Sequence, residues 1–151
     1  MKRIAAISAA ALMFVRLFSL VPPAQAGAEE PTLTSAVASF HTNDDDKNSD
    51  TILTISIEKG HDEFAKITGI RGTFHDHSDH GPFGLNIEGR IRKSDLRDAT
   101  TTLTIQLDGN DTWRFNYSLV LQFSDGSIQK WSWSHHELKE GGPPLILRLA
   151  E

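Results

Sequence analysis

The 151-residue sequence contains no cysteine and only one tyrosine. Without cysteine, the chain can form no disulfide, no cysteine-ligated zinc site and no thiol nucleophile. Acidic residues are absent from the first 26 positions, so residues 27–151 carry 12 basic and 20 acidic side chains, a net charge of −8. This balance argues against nucleic acid, or any anionic surface, as a partner held by charge alone.

A long hydrophobic run is also missing, and this decides how the N-terminus is interpreted. Two basic residues precede an apolar stretch of 12 residues at 4–15, which Arg16 then interrupts. A membrane-spanning helix needs about 20 apolar residues. Because the small residues Ala24 and Ala26 follow, we expect a secretory signal peptide cleaved after Ala26, a secreted or periplasmic protein, and no transmembrane segment in the mature chain.

Beyond this segment, apolar residues recur with a period of two, which indicates half-buried β-strands. The longest stripe runs from Trp113 to Phe123, and Asp125-Gly126 after it is typical of a hairpin turn. Only Ser94–Ala99 has a helical pattern, with Ser94 as its cap. The predicted strands are 34–41, 51–58, 64–75, 83–91, 100–107, 112–123, 127–134 and 144–149. Short strands with polar links predict an all-β fold, an antiparallel β-sandwich of about eight strands.

The predicted division of the chain is a signal peptide at 1–26, a polar leader at 27–33 and a β-sandwich domain at 34–151.

If consecutive strands run antiparallel, the loops after the first, third, fifth and seventh strands lie at one end, and these loops are rich in carboxylates. Clustered carboxylates repel one another unless a cation offsets their charge. Calcium takes 6–8 oxygen ligands from such loops. The sequence therefore predicts a calcium site with Asp44, Asp46, Asp108 and Asp111 as ligands and Asn43, Asp50 and Asn110 as further candidates. The alternative is a set of solvated acidic turns.

A second candidate metal site lies in the histidine-rich segment 75–80. His75, His77 and His80 could bind zinc or another transition metal through nitrogen, although calcium is the preferred cofactor. In an extended segment His75 and His77 point the same way, and His80 needs a turn to join them. The alternative is a plain polar loop.

Trp131 and Trp133 share one face of a predicted strand. If exposed, they could stack on sugar rings or lie at a membrane interface. The polar residues on the opposite face favour the alternative, in which both tryptophans pack in the core.

Motifs of nucleophilic catalysis and phosphate binding are absent. The sequence contains no Gly-x-Ser-x-Gly elbow, no His-Glu-x-x-His helix and no glycine-rich phosphate loop. We therefore expect a protein that is not an enzyme.

Two segments resemble PLAT (lipoxygenase homology) domains. The first is Phe40-His41-Thr42-Asn43-Asp44 through Asn48-Ser49-Asp50-Thr51, followed by the alternation Leu53, Ile55, Ile57 and by Gly60. The second is Leu103-x-Ile105-x-Leu107-Asp108 with Asp111-Thr112-Trp113. Departures are Asn43 in place of a glycine and Asn48-Ser49 in place of an Ala-Gly pair.

The resemblance implies an eight-stranded sandwich with calcium-sensitive loops that docks onto a lipid surface or a protein partner, usually as an accessory to a catalytic domain. The positions that carry over are Thr42, Asp44, Thr51 and Trp113, of which only Asp44 would contact metal.

Together these features predict a secreted, non-catalytic binding module whose acidic loops are bridged by calcium to a lipid surface or protein partner. The alternative is a carbohydrate-binding sandwich with structural calcium, in which Trp131, Trp133 or Tyr117 stacks on a glycan. A structural envelope protein without a ligand is a third interpretation.

Overall fold

A computed structural model describes residues 29–106 and 112–150 and confirms an all-β fold. Its strands are β1 (Leu33–Thr42), β2 (Ile52–Lys59), β3 (Asp62–Ile70), β4 (Asp79–Gly84), β5 (Asn86–Ile87), β6 (Thr100–Gln106), β7 (Thr112–Phe123), β8 (Ile128–Lys139) and β9 (Leu145–Arg148). A short 3₁₀ helix covers Lys93–Leu96.

The strands form two antiparallel sheets with one hydrophobic core, as in a β-sandwich. The first sheet has the order β4-β1-β7-β8 and the second the order β5-β3-β2-β6-β9. Tyr117 on β7 and Thr101 on β6 connect the two sheets through a buried hydrogen bond of 3.1 Å between their hydroxyl groups. Burial raises the pKa of the Tyr117 hydroxyl, which therefore stays protonated.

The alternating stripe of β7 forms the centre of this core, as predicted. The six side chains on this face, at every second position from Trp113 to Phe123, are at most 1% exposed. On β1, Phe40 stacks on Tyr117 with 5.1 Å between ring centres and contacts the rings of Trp113 and Phe115. Since large aromatic side chains bury the most apolar area, this cluster holds β1 against β7.

The predicted strand at 83–91 is wrong, because the chain changes sheets within it. Phe83 pairs in the first sheet and Ile87 in the second, and Leu85 between them is buried. The alternation of apolar and polar residues predicts which side chains are buried. It does not indicate that the chain changes its partner strand.

Three predicted boundaries also need correction, and the first is that the strand predicted at 64–75 ends at Ile70 as β3. The strand predicted at 127–134 extends to Lys139 as β8, because a bulge with positive φ at His135 lets pairing with β7 continue. The predicted cap at Ser94 is replaced by Arg92, whose backbone N–H donates to the Asp95 carboxylate at 2.8 Å.

The signal-peptide prediction, residues 1–26, lies outside the described residues. Within the ranges the structure describes, no helix has the length and apolar character needed to cross a membrane. The end of the predicted leader is ordered against the domain, since Glu29 forms an ion pair with Arg90 and Thr32 forms a bridge with Arg92.

Candidate functional site

The strand register brings three described loops to one end of the sandwich, as strand parity predicted. They are 43–51 after β1, 71–78 after β3 and 140–144 after β8, and we call this region the acidic end. Thr42 at the end of β1 pairs with Phe115 near the start of β7, which pairs with His136 near the end of β8. A bridge between Lys47 and Phe74 joins the first two loops.

The predicted calcium ligands of loop 43–51 are spread along its surface. Asp44 and Asp50 are exposed, and Asp46 is half-buried. The Asn43 amide donates to the side chain of Asn116 at 3.3 Å. Asp45, which was not among the predicted ligands, forms a 2.6 Å ion pair with a cation of β7, Arg114.

The other predicted calcium ligands, Asp108, Asn110 and Asp111, lie outside the described residues. Among residues 29–106 and 112–150, no group of three or more histidine and carboxylate side chains is placed to hold a metal ion. Calcium binding at the acidic end therefore stays a prediction.

A cation that belongs to the chain holds the acidic end together. The side chain of Lys47 is fully buried, and its ammonium donates hydrogen bonds of 2.8–2.9 Å to three backbone carbonyls, those of Asn48, Thr51 and Gly72. The ammonium also lies 4.8 Å from the centre of the Phe74 ring. Because a buried charge is costly unless it is compensated, these contacts fasten loop 43–51 to loop 71–78.

The histidine segment forms a turn and is not extended. His77 has a φ of 55°, and both His75 and His77 are exposed. His80 turns inward, stacks on Phe74 with 4.1 Å between ring centres, and lies 2.7 Å from the Ser78 hydroxyl through Nε2. Desolvation lowers the pKa of His80 from its ordinary value of 6.5. Transition-metal binding by this segment stays a prediction.

The second candidate site is a cleft of about 280 Å³ at the open side of the sandwich, where β8 and β9 are the last strands of their sheets. Three segments form its walls: the 3₁₀ helix with the residues after it, the first half of β8, and the end of β9 with the residues after it. The polar and aromatic lining consists of Lys93, Arg97, Asp98, Gln129, Trp131 and Arg148. We call this site the Trp131 cleft.

Both tryptophans of β8 pack partly against the core, and only Trp131 lines the cleft. The indole N–H of Trp131 donates to the carbonyl oxygen of Ala150 at 2.8 Å, which fixes the ring in the cleft wall. Trp133 instead stacks on Tyr117 with 5.3 Å between ring centres and an angle of 12°. The predicted core packing is thus confirmed in part, because each ring is half-buried and keeps some exposed surface.

The cleft lies at the end of the sandwich opposite the acidic end. Gln129, in its wall, pairs with Leu121 near the end of β7, whereas the acidic end lies at the start of that strand. Sequence reasoning placed the candidate sites in the acidic and histidine-rich loops and named Trp131 alone from this cleft. The basic lining residues, Lys93, Arg97 and Arg148, come from two segments far apart in the sequence and follow no motif.

No protein-family model matches this sequence, and a comparison with curated proteins finds no match. The resemblance to PLAT domains stays a prediction from the residues quoted for it. Two of those residues are in contact, since the Trp113 indole donates to the Thr42 hydroxyl at 3.1 Å inside the core.

We expect Lys47→Met to lower the free energy of unfolding by about 3 kcal/mol, because three backbone carbonyls lose a charged donor. Urea denaturation of both proteins measures the loss. The matched control is Lys59→Met at the exposed end of β2, for which the change should stay within about 0.5 kcal/mol. Equal stability of Lys47→Met and the parent protein would contradict this account of the acidic end.

We expect the free energy of unfolding to decrease as the pH falls through 6.5, in part because of His80. Its folded-state pKa is lowered, so the unfolded chain binds more protons at acidic pH and is favoured there. His80→Phe keeps a ring on Phe74 but cannot titrate, and should flatten the dependence between about pH 7 and 5. His61→Phe, in the exposed β2–β3 turn, is the control. If the free energy of unfolding of His80→Phe depends on pH as steeply as that of the parent protein, His80 does not cause this dependence.

Proposed function

We propose that this protein is a non-catalytic carbohydrate-binding module and that its glycan binds in the Trp131 cleft. The observation that carries this proposal is an aromatic ring held in the wall of a concave site among hydrogen-bonding side chains. Small-molecule sites combine a mostly apolar surface with a few placed polar groups, which matches the lining of this cleft.

Trp131 provides the surface on which a sugar ring would stack. Its N–H is occupied by Ala150, so the ring keeps one orientation in the free protein. A preorganised ring loses little conformational entropy when a ligand binds. Gln129 beside it can donate and accept hydrogen bonds, and the cleft is backed by Leu96 and Leu149, which are buried in the core.

The size of the cleft fits one sugar unit of a glycan. Its volume of about 280 Å³ lies just below the range of about 300–1,000 Å³ for small-molecule sites. We infer that one sugar unit enters the cleft while the rest of the glycan lies outside it. Secretion or periplasmic export, proposed from the first 26 residues, would place the protein where extracellular or cell-wall glycans occur.

Calcium-dependent docking is the second candidate function, and loop 43–51 favours it. Asp44 and Asp50 are exposed at the acidic end, beside the strands that flank segment 107–111. The large exposed apolar side chains of the described residues, Ile128 and Ile146, lie on β8 and β9. Because neither isoleucine lies in the loops of the acidic end, docking by that end would depend on calcium that bridges the loops to an anionic lipid surface or protein partner.

We expect Trp131→Ala to weaken glycan binding strongly, because the stacking surface in the cleft is lost. The measurement is affinity electrophoresis of the purified protein through gels containing dextran, mannan, xylan or polygalacturonate. Any polysaccharide that retards the parent protein should bind Trp131→Ala at least about tenfold more weakly. Trp133→Phe, outside the cleft, should behave like the parent, and circular dichroism confirms that both variants are folded. Retention of binding by Trp131→Ala would contradict the proposed site.

We expect calcium to raise the melting temperature of the chelator-treated protein if the acidic end binds the ion. A ligand specific for the folded state adds about 2.7 kcal/mol at a hundredfold excess over its Kd. Asp44→Ala and Asp108→Ala should each remove the shift, whereas Asp62→Ala at the opposite end should keep it. Magnesium serves as the ion control, and zinc tests the histidine segment. An unchanged melting temperature with calcium would rule out the second candidate.

A further inference from the structure

The Trp131 cleft concentrates positive charge on a protein whose net charge is negative. Among the described residues that line it, three are basic, namely Lys93, Arg97 and Arg148, and one, Asp98, is acidic. Residues 27–151 as a whole carry a net charge of −8. The described lining has a net charge of +2, which is opposite in sign to the net charge of the domain.

The two guanidinium groups of the cleft differ from most other arginines of the described domain. Arg90, Arg92 and Arg114 each form an ion pair with a carboxylate at 2.6–3.1 Å. Within residues 29–106 and 112–150, neither Arg97 nor Arg148 has such a pair, although Asp98 lies in the same lining. Both are exposed, so their donors are available to a ligand.

The third cation of the cleft is held in place by its surroundings. The Lys93 ammonium donates to the Ser127 hydroxyl at 3.2 Å and lies 5.1 Å from the centre of the Phe123 ring. Lys93 forms no direct ion pair within residues 29–106 and 112–150. The Ser127 hydroxyl, however, also donates to the Asp125 carboxylate at 2.6 Å, and this bond, helped by the Lys93 charge, lowers the pKa of Asp125. The charge of Lys93 is therefore partly offset, and the two guanidinium groups carry most of the free positive charge of the cleft.

We propose that the ligand of the Trp131 cleft is an acidic glycan, in which a sugar ring stacks on Trp131 while its carboxylate is bound by Arg148 and Arg97. This inference rests on the proposed carbohydrate-binding function and names its ligand class. A guanidinium presents paired N–H donors that match the two oxygens of a carboxylate. A neutral sugar could accept hydrogen bonds from the two guanidinium groups, but it brings no negative charge to pair with them.

The net negative charge of the domain does not prevent this binding. At physiological ionic strength, exposed charges more than about 8 Å apart are largely screened from one another. The acidic end lies at the opposite end of the sandwich, so the cations in the cleft wall dominate the field that a bound carboxylate experiences. Binding should weaken as salt is added.

The test compares two forms of one ligand, tri-galacturonic acid and its methyl ester, by isothermal titration calorimetry with the purified protein. The two share the same rings and linkages, and the ester lacks the carboxylate charge. We expect the acid to bind about tenfold or more tightly than the ester, and Arg148→Gln to remove that advantage. The control is Arg71→Gln in loop 71–78, which makes the same change in net charge away from the cleft and should retain the preference.

The possible results separate this inference from the proposed function. Equal binding of acid and ester, lost in Trp131→Ala but unchanged in Arg148→Gln, would overturn the acidic ligand and leave carbohydrate binding intact. Binding only to neutral polysaccharides in the electrophoresis panel would do the same. Preference for a sulfated oligosaccharide over tri-galacturonic acid would overturn the choice of carboxylate. Failure of every glycan to bind would overturn both proposals.

Discussion

Burial of one face of β7 is the constraint from which the rest of the architecture follows. The apolar stripe from Trp113 to Phe123 must be covered along its whole length, and the second sheet covers it. With β1 on one side and β8 on the other, β7 is a central strand and β8 ends its sheet. This arrangement places Trp131 and Trp133 at the open side of the sandwich, where their rings are covered only in part.

The two ends of the sandwich handle charge in different ways. At the acidic end, Lys47 and Arg114 provide internal cations, one buried among carbonyls and the other paired with Asp45 on the surface. At the other end, the guanidinium groups of Arg97 and Arg148 are left to solvent. Internal compensation stabilises a loop, whereas unpaired cations in a concave site remain available to a ligand.

This contrast bears on how acidic loops are interpreted in sequences. A run such as Asp44–Asp46 suggests a metal because carboxylates need a counter-charge. Lys47 brings a positive charge into the same loop, and its ammonium is surrounded by carbonyl oxygens much as a hard cation would be. A lysine within an acidic run is therefore a structural element to weigh beside any metal hypothesis, and a variant of that lysine separates the two.

Local pattern alone determined much of the fold. The period-two stripe of β7, the turn at Asp125-Gly126 and the grouping of loops by strand parity all follow from short-range rules, because strand geometry alternates side chains and hairpins reverse the chain. Only the tertiary structure decided that the chain changes sheets at Leu85, that Lys47 is buried, and that Arg97, Trp131 and Arg148 meet in one cleft. Each of these depends on which distant segments come together in space, and the identity of a residue and its immediate neighbours does not specify that.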